Sequence, residues 1–105
     1  MRLWLPLFLL LPGLAAAVPD GREIVLHGNA DGALPCAACH GVNGAGNPAT
    51  GAPALAGLPA GSITAALARM AKGQSGTPLM QSIAAALSPA EAQAVAAYFA
   101  GLPKP

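Results

Sequence analysis

Charge is scarce in this chain: its 105 residues include five lysines and arginines and four aspartates and glutamates. Beyond Arg2, four basic side chains (Arg22, Arg69, Lys72, Lys104) balance four acidic ones (Asp20, Glu23, Asp31, Glu91). So even a balance cannot neutralise a phosphate backbone, which excludes a nucleic-acid surface and makes apolar docking the expectation. Aromatic residues are as few. Trp4 and Phe8 stand in an N-terminal apolar run, which leaves Tyr98 and Phe99 for the rest of the molecule. No segment alternates apolar and polar residues as a half-buried strand does, and none repeats, which argues against sheet and solenoid architectures. Cysteine occurs only at positions 36 and 39, so there is no second pair to complete a zinc site.

The N-terminal run reads as a secretory signal over residues 1–17: Arg2, then apolar residues from Leu3 to Leu14, then Ala15, Ala16 and Ala17 before the expected cleavage point. Pro6 and Pro12 interrupt it, and it is shorter than the roughly 20 residues that cross a bilayer, so no permanent membrane span is expected after cleavage. Residues 18–105 then form one small domain outside the cytoplasm, in the periplasm. A core of that size is marginal by itself. With 13 glycines and 11 prolines among many alanines, either the helices approach very closely or a large apolar body fills the centre.

What is present is helical. Asp20 precedes a short run that ends at Gly28, predicting a helix over about 21–28. Asp31-Gly32 makes a turn, and residues 43–61, rich in Gly, Pro and Asn, read as an ordered loop. Ser62 reads as a cap for a helix with Ile63, Ala66, Leu67 and Met70 on one stripe, stopping at Gly73. A shorter helix is expected over about 79–87. Ser88-Pro89-Ala90-Glu91 is a capping box with proline at the first helical position, leading into a helix that runs to Gly101. The fold class is therefore all-α, four to five short helices joined by long loops.

The chemistry concentrates in Cys36-Ala37-Ala38-Cys39-His40. On a helical turn these three side chains project from one face, the arrangement that covalent attachment of a c-type haem requires: two thiols add to the vinyl groups and the imidazole reaches the iron. A dithiol oxidoreductase would need a βαβ scaffold that this sequence lacks. A zinc site would have to recruit His27, and a structural disulfide between Cys36 and Cys39 would close a loop too small to restrain the unfolded chain. One haem c per chain, bound through Cys36 and Cys39 with His40 as proximal ligand, is the reading adopted. For the opposite face of the iron the chain offers Met70, Met80 and His27. Met70 falls on the apolar stripe of its helix, His27 on a short surface helix, and Met80 just after the turn Gly76-Thr77-Pro78.

These residues resemble the small bacterial class I cytochromes c, secreted monohaem electron carriers. The resemblance rests on Cys36-Ala37-Ala38-Cys39-His40-Gly41, Gly51-Ala52-Pro53-Ala54-Leu55-Ala56-Gly57, Thr77-Pro78-Leu79-Met80, and Leu87-Ser88 running into Ala96-Ala97-Tyr98-Phe99, in that order. It implies a cytochrome c-like fold wrapped around the haem, Met80 as sixth ligand, and the Pro53 carbonyl as acceptor for the other ring nitrogen of His40. It also implies that the first and last helices cross, with Gly21 and Val25 facing Val95 and Tyr98.

The function so implied is periplasmic one-electron transfer with no catalytic residues. Its partners would be redox proteins: a quinol-oxidising complex, a dehydrogenase, or a terminal oxidase or reductase. The chain would act as a monomer or as a haem subunit of a larger oxidoreductase. An iron left open at its sixth position would instead make it a haem enzyme or sensor.

Overall fold

The computed structural model describes residues 18–105; the signal reading of residues 1–17 lies outside them. Five helices follow in order: α1 Gly21–His27, α2 Ala37–His40, α3 Ala60–Ala71, α4 Pro78–Ala85 and α5 Pro89–Ala100. Among the described residues the one ladder-type pairing is an isolated bridge between Asn47 and Ala52, inside the loop joining α2 to α3.

α1 begins where Asp20 Oδ1 accepts from the backbone N–H groups of Arg22 and Glu23, at 3.0 and 3.3 Å. It ends at Gly28, whose φ of 77° is the left-handed turn that glycine takes without a Cβ penalty. α5 carries the capping box in full: Ser88 Oγ accepts from Glu91 N at 3.1 Å, and Glu91 Oε1 accepts from Ser88 N at 2.9 Å. That amide, more than the Asn29 and Ser88 side chains that also donate, holds the Glu91 carboxyl below the usual carboxylate range against a partial loss of solvent.

Two helix starts differ from expectation. α3 begins at Ala60, with Pro59 in the cap position and no side-chain cap, so Ser62 lies inside the first turn. The reason is local: the fixed φ of Pro59, −58°, already suits helix entry, and its carbonyl takes the Ser62 and Ile63 N–H groups at 3.0 and 3.3 Å. α4 begins at Pro78 instead of Leu79, because Thr77 Oγ1 caps the Met80 N–H at 3.1 Å, and it stops at Ala85 instead of Leu87.

The core joins Ile24 and Val25 of α1, Ile63 and Leu67 of α3, Ala84 of α4, and Val95, Ala96 and Phe99 of α5. Phe99 and Val25 are fully buried, each contributing roughly 1.5–3 kcal/mol by removal from water. Small residues let backbones approach closely where α1 crosses α5. A Cβ on Gly21 would overlap the Ala94 carbonyl oxygen and stand 3.2 Å from Tyr98 Cβ. Gly21→Ala is therefore expected to destabilise the protein by about 1–3 kcal/mol through overpacking, read as a lower denaturant midpoint with an unchanged slope.

Candidate functional site

The cysteine cluster is a single turn, α2, entered through Pro35 and left at Gly41. His40 N donates to the Cys36 carbonyl at 2.9 Å and Gly41 N to the Ala37 carbonyl at 2.9 Å, so the turn is closed helically. Cys36 and Cys39 are both half-buried free thiols. Burial pushes the Cys36 thiol up, against a smaller opposing pull from its own backbone amide. His40 is the one polar side chain buried among the described residues, 6% exposed.

Its ring is oriented by the loop that follows. His40 Nδ1 lies 2.8 Å from the Pro53 carbonyl oxygen. A carbonyl can only accept, so Nδ1 carries the proton and Nε2 keeps its lone pair for a ligand. The loop is built to bring Pro53 there. Gly46 N donates to the His40 carbonyl at 2.9 Å, and Leu55 N and Ala56 N both reach the Gly44 carbonyl, at 2.8 and 3.0 Å. Gly46, at φ 81°, faces the Pro53 segment so closely that a Cβ would stand 2.7 Å from Ala54 N and 2.8 Å from the Pro53 carbonyl carbon. A side chain there would push Pro53 away from the imidazole.

The three candidates for the second ligand are placed differently. His27 is exposed on α1, its Nε2 3.6 Å from Glu23 Oε2. Met70 is partly buried against the core, and its thioether lies beneath the next loop: a Cβ on Gly76 would stand 2.6 Å from its Sδ. Met80 is also partly buried against the core, in the first turn of α4, with its backbone N–H fixed by Thr77. Among the described residues no three His, Cys, Asp or Glu side chains converge as a metal-ion cluster, so His27 does not join Cys36, Cys39 and His40 as a zinc site would need.

Two contributors were not read from the sequence. Gly46 is one; the close run of glycines in "GVNGAGNP" is its only signal. Asn29 is the other, visible beforehand only as a turn-prone residue beside Asp31-Gly32. Its Nδ2 donates to the Ala86 carbonyl at 2.8 Å and to Glu91 Oε1 at 3.0 Å, and its Oδ1 accepts from the N–H groups of Asp31 and Ala33 at 3.1 and 2.8 Å.

The donor set fits a covalent haem: two free thiols and a buried imidazole with one nitrogen already satisfied lie on one turn, with a half-buried thioether against the same core. A fold of short helices, without strands among the described residues and with such a turn, is that of a c-type cytochrome domain, whose cofactor is haem c. The chain belongs to the family described as cytochrome c oxidase, cbb3-type, subunit III, whose model matches residues 23–99. Among curated proteins it is 42% identical over 97 residues to a thiosulfate dehydrogenase electron acceptor of Stutzerimonas stutzeri, covering 91% of this chain and 45% of that one. A thiosulfate dehydrogenase electron acceptor of Thiomonas intermedia is 43% identical over 70 residues, covering 67% of this chain and 32% of that protein. Solved structures agree in fold. Thiosulfate dehydrogenase TsdBA from Marichromatium purpuratum matches at TM-score 0.76 and 36% identity over 80% of this chain and 18% of that one. Reduced cytochrome c4 from Pseudomonas stutzeri matches at TM-score 0.73 and 32% identity, over 79% of this chain and 46% of the other. The chain thus spans less than half the length of the curated relatives it matches.

Proposed function

We propose that this domain is a one-electron carrier of the periplasm and that it accepts electrons from a dehydrogenase acting on an inorganic sulfur compound such as thiosulfate. The observation that carries the reading is the 2.8 Å contact between His40 Nδ1 and the Pro53 carbonyl. It dedicates a buried imidazole to ligation through Nε2, on the turn that bears both thiols. The relatives named as electron acceptors of thiosulfate dehydrogenase support the choice of donor.

When bound, haem c would supply a reversible one-electron couple, which a methionine ligand would shift toward the ferrous state. The chain's own residues do the rest. Cys36 and Cys39 hold the group covalently, which suits a protein exported from the compartment where the cofactor is made. His40, kept in one tautomer by Pro53, would supply Nε2 as one ligand. Met80, held at the capped start of α4, would supply its sulfur as the second ligand and leave no position for oxygen or peroxide. With both positions filled the domain has no place for a substrate at the metal, so it acts as a carrier and not an enzyme. Residues 1–17 direct export and are removed, leaving residues 18–105 as the working domain.

Ferric holoprotein mixed with a thiosulfate dehydrogenase and thiosulfate is expected to take up one electron per chain, followed in the visible spectrum. With thiosulfate alone it should remain ferric. Reduction by thiosulfate without the dehydrogenase would make the domain itself the oxidising enzyme, and no reduction in either mixture would remove sulfur-compound dehydrogenases as its donors.

A further inference from the structure

The two halves of the site lie far apart in sequence: His40 and the thiols on α2, Met80 on α4. Side-chain hydrogen bonds in the described residues are mostly local. The His40–Pro53 contact spans 13 residues, and Tyr98 Oη donates to the Val42 carbonyl at a long 3.5 Å. Asn29 makes the short long-range ones, to partners 57 and 62 residues away. An asparagine amide offers two donors and an oxygen with two lone pairs, and here all four are engaged. The oxygen and the backbone belong to the approach to α2: Oδ1 takes two loop N–H groups, and Asn29 N donates to the Ala33 carbonyl at 3.2 Å. The nitrogen belongs to the far side, binding the last carbonyl at the end of α4 and the third residue of α5.

From these bonds we infer that Asn29 is a positioning residue that fixes the Met80 helix relative to the His40 turn, setting how firmly the methionine sulfur holds its place opposite the imidazole. The inference rests on Met80 being the axial ligand. Its physical basis is that α4 has only eight residues and behaves as a short rod. Met80 and Ala86 are six positions apart, roughly 9 Å at the helical rise, so an axial slip at Ala86 is passed on to Met80 undiminished. The Ala86 carbonyl is also one of the orphan acceptors of a helix end. Asn29 satisfies it from the segment leading to Cys36, and thereby ties the two half-sites through one amide group in addition to the shared core.

The test uses loaded holoprotein. Asn29→Asp keeps the oxygen that orders the 29–33 turn but removes both donors and sets a carboxylate against the Ala86 carbonyl and Glu91. Asn29→Ser removes the donors without adding charge, and serves where the first variant fails to load. Imidazole, titrated into the ferric protein, competes with the methionine for the iron, so its apparent affinity reports how often the sulfur lets go. Both variants are expected to bind imidazole about tenfold or more tightly than the parent, because a larger fraction of molecules is then ligand-competent. In guanidinium the near-red methionine band should disappear before the far-UV helix signal. Adding Glu91→Gln to Asn29→Asp supplies a new amide donor toward the carboxylate and should recover part of the affinity change. A lower unfolding midpoint with imidazole affinity within about twofold of the parent would make Asn29 merely structural and overturn the inference. Met80→Ala in the same titration tells the two readings apart: if it binds imidazole no more tightly than the parent, Met80 is not the ligand, and the ligand reading fails together with the role given to Asn29.

Discussion

Alanine at Met80 is expected to abolish the weak near-red band of the ferric holoprotein, whereas alanine at Met70 leaves it intact. The contrast follows from where the two thioethers sit. Met70 is covered by the Gly76 backbone and packs between α3 and the following loop, so truncating it is expected to cost about 1–3 kcal/mol and, under the proposed reading, to free no coordination position. Met80 stands in the first turn of a helix whose start is pinned by Thr77 and Pro78, and under the proposed reading its loss would remove the second ligand. The reduction potential of Met80→Ala should fall by a sizeable part of the roughly 0.8 V range that axial ligands govern. Visible spectroscopy and a redox titration of the two variants side by side settle the matter. A band that survives Met80→Ala but is lost in Met70→Ala would exchange the two roles.

Replacing both Cys36 and Cys39 by serine should eliminate the covalent haem signal in the pyridine-haemochrome assay and leave a chain with little stable structure. The first outcome is a matter of bonds: no other thiol exists among the 105 residues. The second is a matter of size. The helices are 4 to 12 residues long, below the length at which isolated helices persist in water. Two of the eight residues in the buried cluster, Ala84 and Ala96, offer little apolar area, and Phe99 is the sole buried aromatic among the described residues. A domain this small needs a staple, and the large ring supplies it. Far-UV circular dichroism of the doubly substituted protein should show loss of most of the helical signal. Retention of a covalent haemochrome would refute attachment through these cysteines.

Much of this was legible in the sequence because it is written in local chemistry. Asp20, Pro89 and the Ser88-Glu91 pair mark helix starts through bonds spanning two or three residues, and the CxxCH spacing needs only one helical turn. The start of α3 was misread for the same reason: Ser62 satisfies a local rule, but Pro59 satisfies another one turn earlier. The loop over residues 43–61 could be recognised as ordered, while the part of Gly46 in setting the Pro53 carbonyl depends on two backbone segments meeting in space. Asn29 was hidden more completely. Its bonds to Ala86 and Glu91 cross most of the chain, and no periodicity or capping pattern records a contact of that separation.

The buried imidazole donates to a carbonyl and not to a carboxylate, and that choice bears on protons as well as on geometry. A carboxylate partner could share or take the Nδ1 proton as the charge on the ring's other side changes; the Pro53 carbonyl has no accessible protonated form and leaves it in place. The surrounding sequence is equally inert, since from residue 32 to residue 68 the only ionisable side chains are Cys36, Cys39 and His40. Under the proposed reading the thiols are consumed as thioethers and the imidazole is committed to the metal. That stretch therefore brings no carboxylate, lysine or arginine to the site, and the imidazole keeps its Nδ1 proton while the electron passes.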